Sequence, residues 1–132
     1  MKTILLLLCC FLTAQLSIAQ TADALYKKAD SLYKAKDFKN AAIAYTAGIK
    51  MEGKDAEFAW HWYAASSWSL ANVADSAFQM LNIIAASNKI SPGDANSIET
   101  ASDFTALHTD KRWGPLMDKI MAVPRPIIRW RN

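Results

Sequence analysis

The sequence predicts an all-α fold, with antiparallel helical hairpins stacked side by side and closed at one end by a final helical unit. Three observations carry that reading. Between residues 22 and 53, apolar side chains recur at i, i+4 and i+7, the helical period, in two short runs. Small residues stand where two such helices would cross. The same layout returns, displaced by 36 residues, between 58 and 89. With 132 residues, 52% of them hydrophobic, the chain has the apolar mass for one domain.

The first 19 residues read as a signal peptide rather than as part of the fold. Lys2 precedes an apolar run from Ile4 to Leu12, and Ser17 and Ala19 supply the small residues of a cleavage site between Ala19 and Gln20. The run is too short for a comfortable membrane span. Both cysteines, Cys9 and Cys10, lie inside it, so the mature chain would have none. A lipoprotein leader is the disfavoured alternative, because Leu8 before Cys9 is too bulky for that motif. The expectation is an exported protein, periplasmic or secreted, with no stable membrane span after cleavage.

In the first hairpin (about 22–55), Leu25, Ala29 and Leu32 form one helical stripe. Lys36-Asp37 interrupts it, and Asp37 suits an N-cap because its carboxylate can accept from free N–H groups. Ala41, Tyr45 and Gly48 form the second stripe, and Gly53 offers a left-handed stop. Ala29, Ala41 and Gly48 are small enough to let the two helices approach closely.

The second hairpin (about 58–91) matches the first at a shift of 36. Ala29 maps to Ala65, Leu32 to Trp68, Ala41 to Ala77 and Tyr45 to Leu81, while Asn72 falls where Lys36 stands. Asp55 is expected to cap its first helix, which is crowded with Phe58, Trp60, Trp62, Tyr63 and Trp68. Ala77, Met80, Leu81 and Ile84 stripe its second helix, from about 74 to 87, with Asn88 as its end. Ser91-Pro92-Gly93-Asp94 reads as a turn, with Asp94 capping a short helix over 95–100.

In order and in two copies, these residues resemble the tetratricopeptide repeat, whose period is about 34 residues. The two extra residues would sit in the loop after Gly53. The resemblance implies a right-handed stack packed through Ala29, Ala41, Gly48, Ala65, Trp68 and Ala77. It also implies a concave face lined by the first helix of each unit. Tyr26, Asp30, Tyr33, Trp62, Ser66 and Ser69 would then form a groove for an extended peptide or a partner helix. The alternative is that Tyr26 and Trp62 simply pack on each other.

Residues 103–113, from Asp103-Phe104 through Leu107-His108 to Asp110-Lys111-Arg112-Trp113, resemble a segment that closes tetratricopeptide regions in exported bacterial proteins. The cap is expected over about 94–122. Its last helix carries Trp113, Leu116, Met117 and Ile120, kinked or restarted at Pro115. Trp113 and Leu116 would cover the apolar edge left by Leu81 and Ile84. The tail, 124–132, is basic and reads as a frayed terminus, with a partner or an anionic surface as the alternative.

Little in the chain points to chemistry. The net charge of +3 is too small to argue for nucleic acid. His61 and His108 are the only histidines, and neither sits in a zinc-ligand spacing. No glycine-rich phosphate loop or nucleophile elbow occurs. His108 near Asp103 and Asp110 is read as structural. The expectation is no catalytic residue, no metal and no cofactor. The function expected is a binding module for a peptide or an envelope protein. The alternative is a stand-alone relative of the leader domain of an exported hydrolase, acting as an accessory to an enzyme.

Overall fold

The computed structural model describes residues 21–87 and 89–122, and every described element is helical. The helices are α1 (Ala22–Lys34), α2 (Phe38–Glu52), α3 (Phe58–Leu70), α4 (Ala74–Ala86), α5 (Pro92–Thr100) and α6 (Trp113–Met121). Two 3-10 segments, Gly53–Asp55 and Ser102–Leu107, join them. The leader, Asn88 and the basic tail lie outside the described residues. No helix among the described residues is long and apolar enough to cross a membrane.

The shift of 36 holds at the level of backbone geometry. Helices α1 and α3 have the same length and start 36 residues apart, as do the starts of α2 and α4. Lys36 and Asn72 are the two non-glycine residues with positive φ among the described residues, at 61° and 58°. Around each, the same two bonds close the helix. Lys36 N–H donates to Tyr33 O and Asp37 N–H to Leu32 O; Asn72 N–H donates to Ser69 O and Val73 N–H to Trp68 O. These are paired Schellman turns, in which one left-handed residue satisfies carbonyls that would otherwise be orphaned.

Side-chain caps open three of the six described helices. Thr21 Oγ1 accepts from Ala24 N–H, and Asp37 accepts from Asn40. Gly53 stops α2 at φ 65°. Three expectations need correction. Asp55 does not cap α3: it belongs to a 3-10 turn, and α3 starts later, after Glu57. Asp94 is not the N-cap of α5. Ser91 is, because Pro92 suits the first helical position, and Asp94 reaches back to Ser91 N–H as the other half of a capping box. Pro115 neither kinks nor restarts α6. It is the third residue of that helix, where a missing N–H costs no hydrogen bond.

Successive helices pack on one another: α1 on α2, α2 on α3 and α3 on α4. Ala29, Ala41, Ala65 and Ala77 are all fully buried at these contacts. Gly48 is buried against the ring of Tyr26. Trp68 is partly buried and donates its indole N–H to Thr46 Oγ1 at 3.0 Å. The Ser102–Leu107 segment lies across α3, and α6 packs on α4 and α5. Leu81, Ile84 and Leu116 share the buried cluster, with Trp113 packed at its margin.

Candidate functional site

The six residues expected to line an open groove are engaged within the protein. Tyr26, in α1, is buried, stacks on Trp60 at a centroid separation of 4.0 Å and donates its hydroxyl to Glu52 at 2.8 Å. One turn on, Asp30 accepts from the Tyr45 hydroxyl of α2 at 2.5 Å. Tyr26 and Trp62 therefore do not pack as a pair. Trp62 meets Phe104 edge-on at 5.3 Å and lies tilted to Phe58 at 6.3 Å.

The remaining three converge on one residue of the closing segment. Tyr33 donates to the Asp103 carboxylate at 2.9 Å, with Ser66 Oγ 3.2 Å from its hydroxyl. Ser66 donates to the same carboxylate oxygen. Ser69 donates to the Asp103 backbone carbonyl at 2.6 Å. Phe104, fully buried, sits next to this knot and also contacts Trp113. The chain's own residues 102–107 thus occupy the face that was expected to receive a peptide. An aromatic anchor, a carboxylate held by two hydroxyls and a backbone carbonyl held by a third keep them there.

The electrostatics follow from that closure. Burial pushes the Tyr26 and Tyr45 hydroxyls well above the usual phenol range, reinforced by their hydrogen bonds to Glu52 and Asp30. Burial raises Tyr33 as well, with Asp103 adding to it and Ser66 opposing it. At the far end, Arg112 holds the Asp110 carboxylate down at about 2 through two side-chain bonds and a backbone N–H. The same guanidinium reaches Asp75 at 2.6 Å and lies over the Phe78 ring.

The carboxylates and histidines of the closing segment and of α3 have partners within the protein. Asp103 spends its carboxylate on Tyr33 and Ser66, and Asp110 spends its own on Arg112. His108 stacks against Trp113, and His61 Nδ1 meets the carbonyl of Glu57, the residue just ahead of its helix. Among the described residues no group of three His, Cys, Asp or Glu side chains is placed to hold a metal ion. Ser67 Oγ is buried without a hydrogen-bond partner among the described residues.

Sequence reasoning named Asp103 but gave it no role. A signal was present: Ser66 and Ser69 lie on a helix that must be buried on more than one side, and buried hydroxyls need partners. The open surface lies elsewhere. Leu25, Lys28, Leu32, Asn40 and Ile43 border a shallow groove between α1 and α2, and Ile43 is half exposed. Comparison of the chain with protein-family models, with curated proteins and with solved structures gives no match.

Proposed function

We propose that this chain is an exported, non-catalytic binding module. It is a small tetratricopeptide-like stack that docks a peptide or another envelope protein and needs no cofactor. The observation that supports this best is the doubled hairpin, which repeats its left-handed turns and buried alanines 36 residues apart. Such stacks expose extended surfaces that suit recognition, and their function resides in those surfaces rather than in a reaction centre. The α1–α3 face is filled by residues 102–107, so the reading assigns partner contact to the outer edge of the first hairpin. Ile43 and the partly exposed Leu32 offer apolar contact there, beside Lys28.

A photo-crosslinking residue placed at Ile43 in the exporting cell should give a discrete protein adduct. The same residue at Thr105, exposed on the closing segment, should give none. Adducts from Thr105 alone would move the partner to the closed face. Adducts from neither position would refute the binding reading at both surfaces.

A further inference from the structure

The loop that joins the two hairpins leaves a hollow that packing does not fill. Gly53 turns the chain out of α2 at φ 65°, and the 3-10 segment Gly53–Asp55 carries it toward α3. Between that loop, the start of α3 and the end of α4 lies a cavity of about 140 Å³ that opens to solvent. Ala56, Phe58 and the buried Ile84 line it with apolar surface. Ile83, one of the few large apolar side chains left exposed, continues that surface outward.

The polar part of the lining is cationic. Lys54 and Lys89 both border the cavity, and neither makes an ion pair among the described residues. Asp55 and Glu57 belong to the same loop but line no part of it. His61, also in the lining, has its Nδ1 3.1 Å from the Glu57 carbonyl. A carbonyl only accepts, so Nδ1 carries the proton and Nε2 is left to meet a guest.

We propose that this cavity binds a small carboxylic acid whose apolar body is about the size of a benzene ring. The site shares no residue with the first-hairpin edge assigned above to protein contact. Volume sets the body: an apolar cavity of about 150 Å³ holds benzene, and a long acyl chain would not fit. The lining sets the charge, because two ammonium groups with no carboxylate among them favour an anion, and hydrogen bonds between ions are the strong ones. An inorganic anion would leave the apolar floor in contact with water, and a neutral hydrocarbon would leave both ammonium groups without a partner. Only a molecule with both parts satisfies both halves of the lining.

The test uses the chain as the exporting cell leaves it, isotope-labelled and titrated with phenylacetate by NMR. Binding is expected at about 1 mM or tighter, with amide shifts confined to residues 53–61 and 83–87. Acetate, which lacks the ring, and phenylacetamide, which lacks the charge, should each bind about tenfold more weakly. Naphthylacetate should bind no tighter than phenylacetate, because its second ring has no room. K54Q/K89Q should weaken phenylacetate about tenfold and leave phenylacetamide unchanged, which also shows the cavity intact. Ala56→Leu, which fills the cavity, should weaken both ligands. No shift at about 10 mM phenylacetate, acetate binding as strongly, or binding that ignores K54Q/K89Q would overturn the proposal. Tighter binding of a short peptide ending in phenylalanine, weakened by the same variants, would overturn the small-acid assignment and give the cavity to a peptide terminus.

Discussion

Replacing Gly48 with alanine tests the close approach of α1 and α2. A methyl group built at Gly48 would lie 2.8 and 2.9 Å from Cδ1 and Cζ of Tyr26, and closer still to Cε1. The ring cannot easily step aside, because Trp60 stacks on it and Glu52 holds its hydroxyl. In an open helix, Gly→Ala would stabilise by about 1 kcal/mol. Overpacking a rigid site costs about 3 kcal/mol at the upper end of the usual range. The net expectation is a loss of about 2 kcal/mol, or roughly 10 °C in Tm for a domain of this size. Urea unfolding followed by tryptophan fluorescence measures it. In a Tyr26→Ala background, with an osmolyte to keep the fold populated, the obstruction is gone. Gly48→Ala should then stabilise by about 1 kcal/mol, a coupling of about 3 kcal/mol between the two sites. If Gly48→Ala stabilises both backgrounds alike, the helices are not in contact through this glycine and the packing argument fails.

Other perturbations address the closure and the titrating groups. Asp103→Asn keeps the shape but removes the charge that Tyr33 and Ser66 donate to, and should lower stability by about 2 kcal/mol in the same urea assay; a change under about 0.5 kcal/mol, the size of an ordinary surface substitution, would show that the carboxylate is not what fastens the segment. Asp110 has a folded value near 2, below its ordinary 3.8, so its contribution is complete above about pH 4 and is lost as pH falls toward 2. Arg112→Gln should flatten that acid limb in a pH series of urea midpoints, and an unchanged limb would place the acid sensitivity in other carboxylates. Tyr26, Tyr33 and Tyr45 are raised in the folded state, so their contribution is complete below pH 10 and declines as pH rises beyond it. Their phenolate absorbance should therefore appear together with loss of helical circular dichroism. Phenolate signal from all the tyrosines in a fully helical protein would refute the burial argument.

The elements legible in the sequence were those governed by local chemistry. Spacing of Leu25, Ala29 and Leu32 marks a helix, Asp37 marks a cap, and Asn72 opposite Lys36 marks a left-handed turn, because each depends on neighbours within a few residues. The boundary of α3 was misread because Asp55 is a plausible cap in isolation. Gly53 instead leads into a 3-10 turn that moves the start of the helix to Phe58. Ser91 was overlooked for a similar reason: Pro92 can open a helix as well as end one. The larger miss was the fate of Tyr33, Ser66 and Ser69. The resemblance assigns them to one face of α1 and α3, but it gives no contact to a segment that lies 34 and 37 residues beyond the serines and 70 beyond Tyr33. Their partner, Asp103, is brought in by the tertiary path of the chain and not by any local pattern.

The location of residues 102–107 also limits how this architecture could be enlarged. With that segment laid over α3 and α6 seated on α4, the flank where another hairpin would be appended is already taken. An engineer wanting a longer array would have to splice new units ahead of Ala22 or remove the plug and re-cover Phe104, Ser66 and Ser69. By the same logic, a circular permutant opened at the Lys54 loop would keep its plug, whereas a chain truncated after Thr100 would leave the hydroxyls of Tyr33, Ser66 and Ser69 to water and the apolar ring of Trp62 uncovered.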